Sequence, residues 1–418
     1  MSELFKGRIA VLGMGYVGLP TAVAIATRGI DVVGVDINPA TVAAVSRGEV
    51  PFIEPDLAVA VSGAVAMGRL TAASEPPDAD AFIIAVPTPF HEDRTADLSC
   101  VRAAAEQIAP RLRPGNIVVL ESTSPPGTTE RVSGWIGALR PDIRMPHDGD
   151  SSSDIFVAHC PERVLPGRTM IEIVTNDRVV GGLTQQCAEK AASIYRLFAQ
   201  GEILLTDAAS AEMAKLVENA YRDVNIAFAN ELSMITEALH IDVWEVIRLA
   251  NRHPRVNILS PGPGVGGHCI PVDPWFIVSA APELARLIRT AREVNDRRPH
   301  YVAEQVVAKA KRFRSPTIAC LGLTFKANVD DVRESPAIEV VSLIADALAD
   351  TEILISDPFV DALPTQLSGY SNLHLENAYQ AVERADIVVL LVEHEPFRAI
   401  WHNRLGGKVV YDTRGAWR

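Results

Sequence analysis

The stretch "RIAVLGMGYVG", Arg8 to Gly18, decides the fold of this chain. Residues that favour strands lead directly into the pattern G-x-G-x-x-G, and an uncharged, helix-like run follows it. In that context the pattern predicts a tight turn between a strand and a helix. Gly13 makes the turn, Gly15 lets a ligand approach the backbone, and Gly18 lets the helix pack closely on the strand. We therefore predict that a doubly wound α/β domain begins here.

The second β-rich run, "DVVGVD" from Asp31, ends at Asp36, about twenty residues beyond the glycines. A carboxylate at that position accepts hydrogen bonds from both ribose hydroxyls of a dinucleotide, and it repels a 2′-phosphate. The sequence therefore predicts NAD rather than NADP as the cofactor. The contacts predicted at this end of the cofactor are Gly13, Gly15, Tyr16, Val17, Gly18 and Asp36.

Two series of β-rich runs divide the chain. The first series starts at Arg8, Asp31, Ala79 and Asn116, and the second at Thr317, Thr351, Ala385 and Lys408. Helix-like stretches separate the runs, which is the alternation typical of a parallel sheet covered on both faces. We predict an α/β protein with two doubly wound, Rossmann-like domains, one at each end of the chain.

The loops "VPTP" (Val86 to Pro89) and "ESTSPPGTT" (Glu121 to Thr129) end the third and fourth runs of the first series. Ligands of such sheets bind at the carboxyl ends of the strands. We therefore place Pro87, Thr88 and Thr123 on the nicotinamide side of the cofactor. For each residue taken singly, an ordinary role in the turn explains its presence about as well as contact with the cofactor does.

Between the two domains, Thr206 to His240 contains no Gly or Pro and repeats apolar residues at helical spacing. This predicts a central helical domain with one long helix, capped by Thr206 or Asp207. Lys215 and Asn219 share one face of that helix because they lie i,i+4. A helix of this length can bridge two lobes and offer an apolar stripe to a second subunit.

Composition excludes several classes of protein. The chain has 418 residues, 48% of them hydrophobic and 22% charged, and a net charge of -13. That charge argues against a nucleic-acid partner, which requires a basic surface. The five scattered cysteines without CxxC predict no disulfide framework and no metal site, and they fit a cytoplasmic protein. The uncharged run from Ile9 to Thr27 contains three glycines and Pro20, so we predict no membrane span.

Three further segments carry reactive side chains. Glu162 lies in "HCPERVLPG", and Cys269 and Asp273 lie in "GPGVGGHCIPVDPWF". Each has a simpler explanation: a surface acid for Glu162, a solvated helix edge for the Lys215–Asn219 pair, and a small buried residue for Cys269. The last explanation is the one that we adopt for Cys100, Cys187 and Cys320. Together, however, a thiol, a lysine, an amide and two acids beside an NAD site indicate covalent chemistry on a carbonyl.

The segments "GMGYVG", "CPERVLPG", "AKLVENAYRD", "GPGVGGHCIPVDPW" and "GLTFKANVDDVRESP" together resemble the NAD-dependent UDP-sugar 6-dehydrogenases, of the UDP-glucose/GDP-mannose dehydrogenase family. The resemblance spans nearly the whole chain, in the family's order. Within the family, "HCPERVLPG", "NRHPRVNILSPGPGVGGHC" and "DPWF" are most similar to the branch that oxidises UDP-N-acetyl-D-mannosamine. They depart from the UDP-glucose branch, where the corresponding loops read closer to F-G-G-S-C and N-P-E-F.

The resemblance implies two oxidations of a sugar C6 alcohol, to a uronate, with the intermediate held as a thioester on Cys269. By the same resemblance, Lys215 and Asn219 stabilise the oxyanions, and Asp273 orients water or Lys215. Glu162 is then the acid/base, and Thr123 positions water. Arg333 contacts NAD. The implied contacts of the sugar nucleotide are Arg163, Val164, Lys215, Asn219, Gly266, His268, Phe325, Lys326 and Arg414, with Arg255 from a neighbouring subunit.

The expected organisation is an NAD-binding Rossmann domain (residues 1–200), a central helical and dimerisation domain with the catalytic lysine and cysteine (201–305), and a UDP-sugar-binding Rossmann-like domain (306–418). A homodimer with shared active sites follows from the role implied for Arg255. The alternatives are a 6-dehydrogenase for UDP-glucose or UDP-N-acetylglucosamine, a β-hydroxyacid dehydrogenase, and a catalytically silent NAD-binding regulator. A β-hydroxyacid dehydrogenase has no need for Cys269 or for a second nucleotide-type domain. A silent regulator has no reason to hold together the reactive set of Cys269, Lys215, Asn219, Asp273 and Glu162.

Overall fold

The computed structural model describes residues 4–52, 54, 56–91, 93–148, 152–164, 167–267, 269–400 and 402–417. The chain divides into two units, Met1–Glu218 and Asn219–Arg418. The first unit contains β1 (Ile9–Leu12), α1 (Gly18–Ala26), β2 (Val32–Val35), α2 (Pro39–Ser46), α3 (Leu57–Ala66), β3 (Leu70–Ala73), β4 (Ala81–Ile84), α4 (Ser99–Ile108), β5 (Ile117–Leu120), α5 (Thr128–Leu139), β6 (Phe156–His159), α6 (Thr169–Thr175), β7 (Arg178–Gly182), α7 (Gln185–Tyr195) and β8 (Ile203–Asp207).

The helix α8 (Ala208–Ala238) begins in the first unit and ends in the second. The second unit continues with α9 (Val243–Ala250), α10 (Asp273–Ala280), α11 (Arg286–Ala310), β9 (Ile318–Leu321), α12 (Pro336–Ala347), β10 (Ile353–Ser356), β11 (Leu373–Leu375), α13 (Ala378–Arg384), β12 (Ile387–Leu390), α14 (Glu395–Arg398), α15 (His402–Leu405) and β13 (Val409–Asp412).

The sheet of the first unit has the order β3-β2-β1-β4-β5-β6-β7-β8, and its strands are parallel as far as β6. Alternate strand residues face opposite sides, as the two-residue period requires. Ile9 belongs to a core with α1, α3 and α7, whereas Ala10 belongs to a core with α4 and α5. The strand order reverses between β1 and β4, which opens a crevice for ligands at their carboxyl ends.

The sheet of the second unit has the order β11-β10-β9-β12-β13 and is parallel throughout. Ile318 packs in a core with α11 and α12, and its neighbour Ala319 packs in a core on the other face with α13. Two helix-covered, largely parallel sheets confirm the predicted α/β fold class.

The two predicted series omit five strands, namely β6, β7 and β8, which extend the first sheet, and the pair β3 and β11. β3 and β11 are edge strands, paired with β2 and β10 respectively, and each is partly exposed. Without a continuous apolar run, neither short segment carries a strand signal. The loops after Val86 and Glu121 consequently follow the fourth and fifth strands of the chain rather than the third and fourth.

The predicted long helix is confirmed as α8, with 31 residues. It begins one residue after Asp207, whose carboxylate accepts a hydrogen bond from Ser210 N at 2.8 Å. Asp207 is therefore the cap, and Thr206 lies in β8. No helix in the described part of the chain is long and apolar enough to cross a membrane.

Candidate active site

The glycine turn after β1 has the conformation that its sequence predicts. Gly13 has a φ of 93°, and a Cβ there would lie 2.5 Å from the carbonyl oxygen of Ala85. A Cβ on Gly18 would meet the carbonyl oxygen of Gly13, whereas a Cβ on Gly15 would meet nothing within 4 Å. Gly13 and Gly18 thus serve the close packing of β1, β4 and α1, and Gly15 leaves the backbone open to a ligand.

Asp36 directly follows β2 and lies beside this turn. Its carboxylate accepts hydrogen bonds from Met14 N at 2.9 Å and from Asn38 N at 2.8 Å. Each oxygen keeps a lone pair for a ribose hydroxyl. The half-exposed ring of Tyr16 stacks on Phe52 with the centroids 4.2 Å apart. An open glycine turn beside an oriented carboxylate fits the pyrophosphate and ribose of NAD.

The loops after β4 and β5 are tied together. The Thr88 hydroxyl donates to the carbonyl oxygen of Thr123 at 2.6 Å, and the Ser122 hydroxyl donates to that of Val86 at 2.7 Å. The hydroxyl hydrogen of Thr88 is thus used in a hydrogen bond to the neighbouring loop. Pro87 is exposed and Thr123 is half-buried. The two loops therefore form one braced edge of the crevice.

Glu212 lies on α8 and anchors the loop after β5. The sequence did not reveal this role. The buried Glu212 carboxylate accepts hydrogen bonds from Gly127 N at 2.6 Å, from Thr129 N at 2.7 Å and from the Thr129 hydroxyl at 2.6 Å. These bonds satisfy the amino-terminal backbone of α5. Lys215 lies half-buried on α8, one turn beyond Glu212. Because Glu212 lies on α8 but caps α5, the sequence around it carries no capping signal.

Glu162 is not a surface acid, since only 7% of it is exposed. Its Oε2 pairs with Arg178 Nη2 at 3.1 Å, and its Oε1 accepts a hydrogen bond from Arg163 N at 2.7 Å. The Arg163 side chain points elsewhere and pairs with Glu218 on α8 at 2.6 Å. Val164 is half-buried and packs against the core. Glu54 fixes the end of this loop, because it accepts from Gly167 N at 3.0 Å and Thr169 N at 2.9 Å.

In the second unit, Cys269 lies exposed in the turn that starts α10. Its carbonyl oxygen accepts hydrogen bonds from Val272 N at 3.1 Å and Asp273 N at 2.9 Å. Asp273 is buried, and Asn219 Nδ2 donates to its carboxylate at 2.5 Å. The structure thereby brings Asn219 to the turn that carries Cys269 and Asp273, although Asn219 and Asp273 are 54 residues apart in sequence.

The glycine-rich loop before Cys269 is anchored at Gly262. Its N–H donates to Asn230 Oδ1 on α8 at 2.9 Å, and its carbonyl oxygen accepts from Arg298 Nε on α11 at 2.8 Å. A Cβ on Gly262 would lie 2.5 Å from a guanidinium nitrogen of Arg414. The loop thus places backbone where a side chain would not fit, next to a predicted substrate cation.

The same loop continues against the segment after β9. A Cβ on Gly266 would lie 2.5 Å from the carbonyl oxygen of Glu334, and one on Gly267 would lie 3.1 Å from the Phe325 ring. Gly267 also has a φ of 87°, so this position favours glycine on both grounds. Gly266 and Phe325 are therefore neighbours, and Arg414 lies beside Gly262 of the same loop. Lys326 follows Phe325 and is half-buried.

The remaining predicted residues lie as follows. Arg255 is exposed between α9 and α10. Arg333 is exposed in the second unit and pairs with Asp331 at 2.7 Å. His268 lies outside the described residues.

The second unit has its own acid after the second strand of its sheet, Asp357 after β10. Unlike Asp36, Asp357 is buried: it accepts from Leu323 N at 2.7 Å and lies 3.1 Å from His394 Nε2. His394 Nδ1 in turn accepts from Asn328 N at 3.0 Å. Asp357 therefore braces the segment that carries Phe325 and Lys326. It does so in a doubly wound domain that lacks the dinucleotide fingerprint.

One cysteine expectation was wrong. Cys187 and Cys320 are buried as expected, but Cys100 is exposed near the start of α4. That helix buries the face of Val101 and Ala104, which leaves Cys100 on its outer side. Within the described residues, no three His, Cys, Asp or Glu side chains cluster closely enough to hold a metal ion.

Family models match the chain in three consecutive parts. Residues 7–199 match the NAD binding domain of the UDP-glucose/GDP-mannose dehydrogenase family, residues 209–297 its central domain, and residues 319–418 its UDP binding domain. These matches agree with the glycine turn in the first unit and with the braced segment in the second.

Individual relatives extend the comparison. The chain is 57% identical, over 98% of its length and 96% of the relative, to an NDP-N-acetyl-D-galactosaminuronic acid dehydrogenase of Ralstonia nicotianae. It is 51% identical, over 98% of its length and 99% of the relative, to a UDP-N-acetyl-D-mannosamine dehydrogenase of Salmonella typhi. A solved UDP-D-ManNAc dehydrogenase from Pyrococcus horikoshii has a TM-score of 0.86 and 36% identity, over 98% of this chain and 96% of that one. The chain therefore belongs to the UDP-glucose/GDP-mannose dehydrogenase family of NAD-dependent oxidoreductases.

Proposed function

We propose that this protein oxidises the C6 alcohol of a UDP-N-acetylhexosamine to a carboxylate, in two steps that use two molecules of NAD. One observation carries the proposal beyond family membership: an exposed cysteine begins the turn to a buried aspartate, whose carboxylate accepts a hydrogen bond from Asn219 at 2.5 Å. A thiol beside a fixed acid–amide pair suits capture of an aldehyde.

NAD, when bound, accepts a hydride from C6 in each oxidation. Between the two, the Cys269 sulfur bonds to the aldehyde carbon and gives a thiohemiacetal, which the second oxidation converts to a thioester. Water then adds to the thioester carbonyl, the carbon–sulfur bond breaks, and the uronate leaves while the thiolate is restored. Lys215 and Asn219 supply the positive charge and the N–H donor that stabilise each tetrahedral oxyanion.

The two acids of the site, Asp273 and Glu162, have different roles. Asp273 is held by Asn219, so it orients the amide and, with it, a water or the ammonium of Lys215. Glu162 acts as the acid/base for the hydrolytic water, with Thr123 positioning that water.

Further residues bind the two ligands. The proposed contacts of the sugar nucleotide in the second unit are Gly266, Phe325, Lys326 and Arg414. The sugar is also contacted by Arg163, Val164 and His268, and NAD is contacted by Arg333. We also propose the domain bounds expected from sequence, 1–200, 201–305 and 306–418.

UDP-N-acetyl-D-mannosamine is the first candidate substrate. Arg163 follows the acid and His268 precedes the thiol, where the UDP-glucose branch tends to have Phe and Ser, so hydrogen-bonding groups meet the N-acetyl amide. Arg163 already donates to Glu218 and to the carbonyl oxygen of Asp177. It retains N–H groups for a ligand. A site built for such groups strongly rejects a sugar that lacks them.

UDP-N-acetyl-D-galactosamine is the second candidate. The observation that favours it is the 57% and 56% identity to two Ralstonia relatives named NDP-N-acetyl-D-galactosaminuronic acid dehydrogenase. The two sugars share the N-acetyl group and differ in configuration at C2 and C4. Discrimination between them therefore depends on where the site meets these two carbons.

A panel of UDP-sugars tests the proposal. NADH formation is followed with the mannosamine, galactosamine and glucosamine N-acetyl sugars and with UDP-glucose, at saturating NAD. We expect two NADH per sugar, and a kcat/KM for an N-acetylated sugar at least about 100-fold above that for UDP-glucose. A preference for UDP-glucose would overturn the branch assignment, and a lack of NADH with every sugar would overturn the reaction.

A homodimer completes the proposal. Tyr221, Phe228 and Ile235 recur every seven residues along α8 and are 71%, 56% and 48% exposed. A monomer rarely exposes such a stripe, and a second copy of the same helix is its self-complementary partner. We place Arg255 in the neighbouring subunit's substrate site. The cysteine pattern supports a cytoplasmic location.

A further inference from the structure

A buried cluster of charges lies behind Glu162, at the carboxyl ends of β5 and β6. Its centre is Arg178, the first residue of β7, which is 3% exposed. Besides Glu162, the cluster contains Glu121, which directly follows β5 and is 1% exposed. The Glu121 carboxylate bonds Thr21 Oγ1 of α1 at 3.0 Å and the Tyr195 hydroxyl of α7 at 2.8 Å. Sequence reasoning assigned no role to Glu121 or Arg178.

The cluster contains one cation for two acids. Burial raises the pKa of Glu121 to about 7, with the attraction of Arg178 opposing this shift and the Glu162 charge contributing to it. The other groups that face Arg178 are Cys160 and Tyr195. Burial raises the pKa of Cys160 to about 12 and that of Tyr195 well above its usual value, so neither is charged. Arg178 is thus balanced by Glu162 whenever Glu121 holds its proton.

The geometry leaves Glu162 little freedom. Arg178 Nη2 donates to Glu162 Oε2 and also to the carbonyl oxygen of Ile173, both at 3.1 Å. Its guanidinium carbon lies 5.2 Å from the ring centre of Tyr195 and 5.3 Å from that of Phe198. A planar cation held against two rings cannot swing away. The Arg163 N–H fixes the second carboxylate oxygen of Glu162 from the other side.

We propose that Arg178 is the positioning residue for Glu162: it aims the carboxylate that acts as the base for thioester hydrolysis. The inference rests on the proposed function, in which Glu162 serves the hydrolytic water. In that step the water oxygen bonds to the thioester carbon, and the water proton passes to Glu162. The bond from carbon to Cys269 sulfur breaks, the thiolate leaves, and Glu162 releases its proton to solvent.

The test separates hydrolysis from the oxidations that precede it. Full-length wild type, Arg178→Lys and Arg178→Gln are mixed with NAD and UDP-N-acetyl-D-mannosamine or UDP-N-acetyl-D-galactosamine. NADH is recorded through the first turnover, and Cys269 is examined by mass spectrometry after acid quenching. Arg178→Lys keeps the buried charge, so it is the variant that retains the fold; NAD binding verifies this. Arg102→Met, which removes an exposed pair with Glu106, is the matched control.

We expect Arg178→Lys to release two NADH per site at a near wild-type rate and then to stall. The sugar should remain on Cys269 as the acyl adduct, steady-state kcat should fall roughly 100-fold or more, and KM for NAD should stay unchanged. A purely structural role would lower the active fraction without an adduct.

The outcomes are distinguishable. If wild type makes two NADH per sugar but Arg178→Lys turns over at the wild-type rate without an adduct, the positioning role is wrong and the proposed function stands. If wild type forms no NADH with any UDP-sugar, the proposed function fails first. A loss of the first NADH burst in a variant that still binds NAD also contradicts the inference, since hydrolysis comes after both oxidations.

Discussion

Cys269 is the residue on which the proposed chemistry depends most directly. It lies in a turn in which its carbonyl oxygen accepts hydrogen bonds from Val272 N and Asp273 N, so main-chain hydrogen bonds hold its backbone in place. Cys269→Ala should therefore fold, bind NAD normally and lose sustained turnover by at least about 10³-fold, because no thioester can form. Uronate formation near the wild-type rate in this variant would exclude covalent capture.

Asp36 should decide the choice between NAD and NADP. Asp36→Ala removes the charge that repels a 2′-phosphate and the acceptor for the ribose hydroxyls. The ratio of kcat/KM for NAD over that for NADP should fall roughly 10- to 100-fold, as expected for hydrogen bonds to a charged group. Asp31→Ala is the control, since this acid starts the same run but forms an exposed pair with Arg69. Equal use of both cofactors by the wild type would show that the ribose acid is misplaced.

Glu121 should make stability depend on pH in an unusual direction for an acid. Burial raises the pKa of Glu121 to about 7, so the folded protein holds a proton that the unfolded chain loses at lower pH. The free energy of unfolding therefore falls as the pH rises from the pKa of Glu121 in the unfolded chain to about 7, by a total on the order of 3 kcal/mol.

Glu121→Gln mimics the protonated acid and tests this sign. We expect the variant to unfold at higher urea concentration than wild type at about pH 8.5, and at a similar one at about pH 5. Glu106→Gln, an exposed acid paired with Arg102, is the control and should show no such change. A wild type that gains stability relative to Glu121→Gln as pH rises would contradict the assignment.

At the scale of elements, α8 carries two separate tasks on one helix. Its buried face includes Glu212, Leu216 and Asn230, and its exposed face carries the stripe of Tyr221, Phe228 and Ile235. Phe228→Asp should raise the dimer Kd by at least about 100-fold, because two copies of the charge enter the apolar contact. Light scattering across a dilution series measures this.

The control for that substitution is Leu284→Asp. Leu284 is 86% exposed and lies between α10 and α11, off the stripe, so this variant should leave assembly unchanged. A wild type that is monomeric and fully active at assay concentration would rule out the α8 interface.

At the scale of the whole molecule, shared sites predict complementation. Arg255→Ala and Cys269→Ala proteins, each inactive alone, form hybrids in which one site has the intact cysteine of one chain and the intact Arg255 of the other. Random pairing makes half of the dimers hybrids, each with one working site, so about a quarter of wild-type activity should return. Mixing under conditions that exchange subunits, followed by an NADH assay, measures it. No recovery despite proven exchange would place Arg255 in its own chain's site.

The sequence by itself determined the fold class and the cofactor. Gly13, Gly15, Gly18 and Asp36 form a pattern that is readable within one short stretch of sequence, and the structure adds the packing of Gly13 against Ala85 and the hydrogen bond from Met14 N to Asp36. The long uninterrupted helix α8 was equally readable. The edge strands β3 and β11 were not, because partial exposure removes the continuous apolar run that marks a buried strand.

Only the tertiary structure decided the state of the acids. Glu162, Glu121 and Asp357 look like ordinary polar residues after strands, yet each is buried and committed to partners distant in sequence. Burial and pairing depend on which strand ends and helices meet, and one residue's neighbours along the chain do not encode that. The same holds for Asn219, whose amide donates to the carboxylate of Asp273, 54 residues further along the chain.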